Sequence, residues 1–215
     1  MPINNTDYTF REEYTKGSID ESQLDENPFI QFESWFSEII STEDRAQNAM
    51  LLATVNKEGR PSARVVLLKQ FDERGVVFYT NYNSKKAQDI LENPNVALTF
   101  FSPKLEREIR IEGTAIKVDQ TESDAYAQSR PYKSQVAAYV SQQSSPLSDR
   151  RVLETAYFEA LKEFEGKPVP SNGGWGGFRV IPDYFEFFQG REHRLHDRIV
   201  YKLNNGQWEK SRLYP

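Results

Sequence analysis

The chain has 215 residues, no cysteine and two histidines, with 27 basic and 32 acidic side chains for a net charge of −5. That length allows one large domain or two small ones, and a core of that size folds without disulfides. The missing cysteine excludes thiolate catalysis and cysteine-based zinc sites. Two histidines exclude a histidine-rich metal site, and the acidic balance argues against a nucleic-acid face. No apolar run approaches the roughly 20 residues of a membrane span. The first thirteen residues lack the charged-then-apolar pattern of a secretion signal, so a cytoplasmic protein is expected.

Residues 1–26 are polar and acidic and read as a mobile arm, with a short helical turn near 8–14. From 27 to 215 the pattern is that of a single domain. Asn27 and Pro28 are a helix start. Phe29, Phe32, Trp35, Phe36, Ile39 and Ile40 recur at helical spacing, which predicts an amphipathic helix over 28–41. Segments 49–55 and 62–69, joined by Lys57-Glu58-Gly59, predict a hairpin. A turn at 72–75 leads into a strand at 76–80. Ser84 caps a helix over 85–92, which Asn93-Pro94 ends. Strands follow at 96–101 and 105–118. The second alternates Arg107, Ile109 and Ile111 against Glu106, Glu108, Arg110 and Glu112.

Two helical regions follow, 120–142 broken at Pro131 and 148–165 capped by Ser148. Residues 167–177 read as a Pro/Gly loop. Strands are expected at 178–181, 184–188 and 199–203, and Asn204-Asn205-Gly206 turns the last of these into 207–212. Helices interrupting one run of antiparallel strands give an α+β fold with a closed or nearly closed β-barrel.

Four segments can carry chemistry. The strand Arg64-Val65-Val66-Leu67-Leu68-Lys69 has a cation at each end, on opposite faces. Either both ends emerge at the surface or each cation meets an anion. Tyr79-Thr80 followed by Ser84-Lys85-Lys86 puts two lysines at a helix N-terminus, where the dipole prefers negative charge. A bound phosphate removes that mismatch; a solvated lysine pair is the alternative. Tyr126, Arg130 and Ser134 recur every four residues, so one helical face would cradle a phosphate monoester or simply be a polar stripe. The stretch 185–198 holds both histidines and three arginines within eight residues beside aromatic residues, with a charged hairpin tip as the alternative. Extended chain would put Arg194, His196 and Arg198 on one face.

With these segments in order, the chain resembles the pyridoxine (pyridoxamine) 5′-phosphate oxidase family from Arg11 to Pro215. The most specific match is Glu186 through Arg198, around Arg194-Leu195-His196-Asp197-Arg198. Arg64 to Lys69, Ser129-Arg130-Pro131, Gln143-Ser144 and Trp175-Gly176-Gly177-Phe178-Arg179 also match. The resemblance implies a split-barrel homodimer with FMN at the subunit interface. It implies oxidation of pyridoxine or pyridoxamine 5′-phosphate to pyridoxal 5′-phosphate by oxygen, giving hydrogen peroxide and, from the amine, ammonia.

By the same resemblance Arg64, Val65, Val66, Leu67, Leu68, Lys69, Tyr79, Thr80, Lys85, Lys86, Gln143, Ser144 and Arg198 would contact FMN. Lys69, Tyr126, Arg130 and Ser134 would bind the substrate phosphate. Arg194 and His196, with Leu195 between them, would meet the reacting end. Arg11, Glu12, Glu13 and Tyr14 would reach the ligand as a lid. Two positions depart from the family, which usually has Gln at Glu108 and Trp at Phe188; both are carried as FMN contacts. A non-catalytic flavin or vitamin B6 phosphate-binding protein and a nicotinamide-dependent flavin reductase are the rival readings. The first would lack the Arg194 and His196 pair, and the second the substrate-phosphate set.

Overall fold

The computed structural model describes residues 13–42, 45–171 and 173–215. Along them run α1 (Pro28–Ser41), β1 (Ala49–Val55), β2 (Pro61–Leu67), β3 (Gln70–Asp72), β4 (Gly75–Asn81), α2 (Lys85–Glu92), β5 (Asn95–Ser102) and β6 (Arg107–Lys117). Then come α3 (Gln120–Ser129), α4 (Tyr132–Val140), α5 (Arg150–Glu163), β7 (Trp175–Gln189), β8 (Asp197–Asn204) and β9 (Gln207–Leu213). The strands form one antiparallel sheet in the order β2-β1-β5-β6-β7-β4-β3, with β8 adding to β7 and β9 to β8.

The sheet curls because of β7. A strand has two edges, yet β7 has three partners. One edge follows β6 from Phe178 to Gln189, while the other pairs first with β4 and then with β8. The exchange occurs around Pro182, where the β6 register slips between Glu112 and Gly113. Proline has no N–H to give the ladder, and a bulge is where a sheet tolerates it. The result is an α+β split barrel.

Period-two alternation fills the barrel. Leu52, Leu98, Ile111, Phe185 and Tyr201 form one cross-strand row through β1, β5, β6, β7 and β8. All five are fully buried. Phe100, Ile109, Phe187 and Ile199 form the next row. Helix α1 closes this core. The Asn27 side chain accepts the Phe29 N–H at 2.9 Å, Pro28 takes the first position, and Phe32, Trp35 and Ile39 point inward. Phe32 lies 4.3 Å from Phe71, and Trp35 5.2 Å from Phe187, between ring centroids. Aromatic pairs of this kind add about 0.5–1.5 kcal/mol beyond burial. Helices α4 and α5 pack around a smaller cluster of Val136, Ala160 and Phe164.

Several sequence expectations change. Strands 178–181 and 184–188 are one strand, because the bulge carries the chain past Pro182 without breaking it. Residues 175–177 belong to β7 rather than to a loop. A Cβ on Gly176 would lie 2.3 Å from the Tyr82 hydroxyl oxygen, so only glycine lets that ring cross the strand. Asp149, not Ser148, caps α5 by accepting the Arg151 N–H at 2.8 Å. Glu106 has φ 54° and sits in the turn before β6, so it does not share the strand face of Glu108, Arg110 and Glu112.

Of the arm expected over 1–26, residues 13–26 are described, and they bond to the barrel. The Tyr201 hydroxyl donates to the Asp25 carbonyl at 2.7 Å, and Lys210 pairs with Glu26 at 2.6 Å. Residues 8–12 of the expected helical turn, with Arg11 and Glu12, lie outside the described residues.

The close β6–β7 approach is testable at Gly113, where an added Cβ would lie 2.1 Å from the Ile181 carbonyl oxygen. Gly113→Ala is expected to cost about 1–3 kcal/mol, the usual range for forced overpacking. Urea unfolding measures it as a lowered midpoint, and an unchanged midpoint would mean that the strands part without cost.

Candidate functional site

The pleat of β4 divides the site in two. Tyr79 and Thr80 are neighbours, so their side chains leave opposite faces of the strand.

On the Thr80 side, cations and neutral oxygens converge. The Lys86 ammonium donates to Thr80 Oγ1 at 3.1 Å, Ser84 Oγ at 3.3 Å and Gln143 Oε1 at 2.9 Å. Thr80 also donates to Gln143 Oε1 at 3.0 Å. Asn81 holds the loop that delivers Gln143 by donating to the Ser141 carbonyl at 3.2 Å. Arg64 reaches in from β2, with Thr54 Oγ1 at 2.7 Å and Ser62 Oγ at 2.6 Å. Asp89 on α2 accepts from Lys85 at 2.9 Å and from Thr54 at 2.9 Å.

The two lysines therefore differ. Lys85 has a carboxylate partner in Asp89. Among the described residues Lys86 has none; all its partners are neutral oxygens. Burial first, and the Arg64 charge second, lower the Lys86 ammonium below its ordinary value. Ser84 caps α2 by position but makes no side-chain cap bond, and the first turn holds no acid. A half-buried ammonium, a guanidinium, two hydroxyls and an unoffset helix N-terminus are the donor set that a phosphate dianion requires. Thr54, Ser62 and Asp89 were missed by sequence reasoning, and Ser84 was expected only as the cap of α2. Ser62 sits two residues before Arg64 on the same strand face, which was the available signal.

The residues after Arg64 divide by the pleat. Val66 and Leu68 turn toward the core, while Val65 and Leu67 are exposed at 66% and 40%. Lys69 follows the strand and is exposed. Ser144, beside Gln143, is exposed with φ 73°.

On the Tyr79 side the rings stack. Tyr79 lies 3.9 Å from Tyr126 and 5.4 Å from Trp175, nearly parallel to both. Burial first, then Glu122 and Tyr126, push the Tyr79 phenol up to about 12. Its hydroxyl is buried with no hydrogen-bond partner among the described residues. The Arg130 guanidinium lies over Trp175 at 4.6 Å. No carboxylate pairs with it among the described residues, and burial lowers its pKa. The expected single helical face for Tyr126, Arg130 and Ser134 is not formed. Helix α3 ends at Ser129, Arg130 is extended, and α4 starts after Pro131, whose ring cannot continue α3. Tyr126 and Arg130 still meet, through Trp175 rather than through a helix stripe.

The third cluster joins β7 to β8. The His196 ring centroid lies 5.0 Å from Phe188 and 5.6 Å from Tyr14. Its Nδ1 accepts the Arg191 N–H at 3.0 Å, so in the neutral ring the proton is on Nε2. Arg194 does not share an extended face with His196 and Arg198. Residues 192–194 form a tight turn with His193 and Arg194 at φ 57° and 60°. Extended alternation begins only with β8. Arg194 and Leu195 are exposed. Glu13 accepts the His193 N–H at 3.1 Å.

Arg198 is bound to Glu186 at 2.7 Å, and Glu186 also accepts from Arg110 at 3.1 Å and Tyr184 at 2.9 Å. Glu108 sits between Phe101 and Phe188 in the ladder. Burial raises its carboxyl, and Glu186 adds to that against the opposing charges of Arg110 and Arg198.

The chain is similar to known proteins over nearly its whole length. The family model described as pyridoxamine 5′-phosphate oxidase matches residues 38–162. The pyridoxine 5′-phosphate oxidase C-terminal dimerisation region matches 175–215. The pyridoxine/pyridoxamine 5′-phosphate oxidase of Nostoc punctiforme is 49% identical over 206 residues, 95% of this chain and 96% of the relative. A Hydrogenovibrio crunogenus relative, pyridoxine/pyridoxamine 5′-phosphate oxidase 2, is 45% identical over the full length of both chains. The crystal structure of PhzG from Burkholderia lata, in complex with tetrahydrophenazine-1-carboxylic acid, superposes with a TM-score of 0.86 at 27% identity. It covers 93% of this chain and all of that one. An FMN-binding protein of Nostoc punctiforme related to pyridoxamine 5′-phosphate oxidase shares the fold, with a TM-score of 0.70 at 19% identity over 88% of this chain and 98% of that one. Family-model matches at both ends of the barrel and relatives near half identity over almost the whole chain make this protein a member of the pyridoxamine 5′-phosphate oxidase family.

Proposed function

We propose that the chain is an FMN-dependent oxidase that converts pyridoxine or pyridoxamine 5′-phosphate to pyridoxal 5′-phosphate. Oxygen is the acceptor, hydrogen peroxide the by-product, and ammonia is released from the amine. One observation carries this reading. Lys86 and Arg130, two desolvated cations with no carboxylate partner among the described residues, serve opposite faces of the Tyr79-Thr80 step. That arrangement suits two phosphate monoesters, one on the cofactor and one on the substrate.

Lys86, Arg64, Thr80, Ser84 and Gln143 would hold the FMN phosphate. When bound, FMN supplies the two-electron sink for the substrate C4′ hydrogen. Arg130, with Tyr126, Ser134 and Lys69, anchors the substrate phosphate. Arg194 and His196 meet the pyridine ring. With Nδ1 occupied by the Arg191 N–H, His196 presents Nε2–H and acts there as a donor that orients the ring. Anchoring the substrate at one end and orienting it at the other holds the reacting carbon in place, and that positioning is the main catalytic contribution of the protein.

The dimerisation region supports a homodimer. The outward face of β2, β1 and β5 carries Val65, Leu67, Leu51 and Phe101, all 40–66% exposed. An apolar patch of this kind is the expected seat of a second subunit, with FMN bound where the two β2 strands approach. No helix among the described residues is long and apolar enough to cross a membrane, and we assign the protein to the cytoplasm.

The direct assay adds pyridoxine 5′-phosphate to FMN-loaded protein. Equal amounts of pyridoxal 5′-phosphate and peroxide are expected. FMN binding without turnover would favour a non-catalytic binding protein. Arg130→Ala is expected to raise KM about tenfold to a hundredfold, the range for losing a hydrogen bond to a charged group. FMN occupancy should not change. Loss of FMN with unchanged KM would move Arg130 to the other ligand.

Glu108 gives a pH test. A carboxyl raised by folding stabilises the protein below its unfolded pKa and loses that contribution as pH rises through the folded pKa. Glu108→Gln is therefore expected to raise Tm at pH 7, with the gap closing near pH 4. An equal or lower Tm at pH 7 would contradict the burial that raises this carboxyl.

A further inference from the structure

Asp197 is a buried carboxylate at which three distant parts of the chain meet. It accepts the Ile19 N–H at 3.0 Å, the Arg191 guanidinium at 3.2 Å and the Arg212 guanidinium from β9. Arg212 also binds Glu21 and the Ile19 carbonyl. Burial alone would raise the carboxyl, but the Ile19 N–H and the two guanidinium groups outweigh it and hold Asp197 below the usual carboxylate range. The β7–β8 ladder itself needs no anion here, since Asp197 simply opposes Gln189 in register.

The partners of Asp197 lead to His196 by two routes. Arg191 gives its guanidinium to Asp197 and its backbone N–H to His196 Nδ1. The bond that decides the imidazole tautomer therefore comes from a residue that Asp197 holds. The second route is the segment 13–19. The Ile19 bond ties one end of it, and Lys16 N–H donates to Glu106 at 2.9 Å along the way. At the other end Tyr14 lies against His196 and over Gly190, where a Cβ would stand 2.4 Å from the Tyr14 ring.

We propose that Asp197 is a positioning residue for His196, which it clamps between Tyr14 and Phe188 with the proton on Nε2. The inference rests on the reading that His196 meets the reacting end of the substrate. Asparagine would keep the shape of Asp197 but replace an anion that serves three donors with one acceptor oxygen and an added donor. The two guanidinium groups would then lose their shared counter-charge.

The test uses FMN-loaded Asp197→Asn and Arg191→Gln. Ring 15N shifts report the His196 tautomer, and His193→Asn separates the two histidine signals, since Asn tolerates the left-handed backbone at 193. Hydrogen exchange reports the Ile19 amide. In Asp197→Asn we expect a mixed tautomer, Ile19 exchange at least about tenfold faster, and kcat/KM lowered about tenfold to a hundredfold, as small misplacements near a reacting centre produce. In Arg191→Gln the tautomer should mix while Ile19 stays protected. An unchanged His196 tautomer in both variants overturns the proposal. If Asp197→Asn does not fold, an unchanged tautomer in Arg191→Gln overturns it alone. If the variants alter tautomer and exchange but the wild type does not oxidise pyridoxine 5′-phosphate, the clamp stands and the proposed reaction falls.

Discussion

Lys86 is an ammonium that folding has partly removed from water and surrounded with oxygens that carry no charge. Burial of a cation is unfavourable unless an anion offsets it. Asp89 could have been that anion, but it is bonded to Lys85 and Thr54, with Arg64 nearby. The rest of the site is arranged around this incomplete charge balance. Strand β4 brings Thr80, α2 brings Ser84 and Lys86, β2 brings Arg64, and the loop after α4 brings Gln143. A phosphate would complete the set, and nothing else within the described chain does.

The barrel makes the second half of the site from the same strand. Because β4 is pleated, Tyr79 must face away from Thr80, and it stacks with Tyr126 and Trp175. Trp175 opens β7, and Gly176 and Gly177 behind it leave room for Tyr82 and Val118. At its other end β7 delivers Phe188 to His196. One long bulged strand thus spans the region from the Arg130 cation to the imidazole. The buried carboxylate of Asp197 ties the segment 13–19 across its far end.

Periodic and punctuated stretches were legible in the sequence. Helix α1 follows from Asn27, Pro28 and the spacing of its aromatics. The predicted span 49–55 coincides with β1, and 85–92 with α2, because turn residues bracket both. Helices α3 and α4 break at Pro131 as its ring requires. Other features had no local signal. Strand β3 spans three residues and is too short to show alternation. Gly176 and Gly177 have no side chains to alternate, so a strand start read as a loop. The left-handed turn at His193 and Arg194 uses residues that seldom adopt it, and it removed Arg194 from an expected common face. The partners of Arg64 and Asp197 are set by tertiary folding. Ile19 and Asp197 are 178 residues apart in sequence, a distance no local pattern spans.

A phosphate would complete the charge balance at Lys86. The most direct measurement titrates the FMN-free protein with FMN and with riboflavin, which lacks the phosphate, following quenching of flavin fluorescence. Lys86→Met is titrated in parallel. The wild type should prefer FMN strongly. The variant should lose about tenfold to a hundredfold of that preference, the range for a hydrogen bond to a charged group. Its riboflavin affinity should not change. An equal preference for FMN in both proteins would contradict the account and leave Lys86 a structural cation.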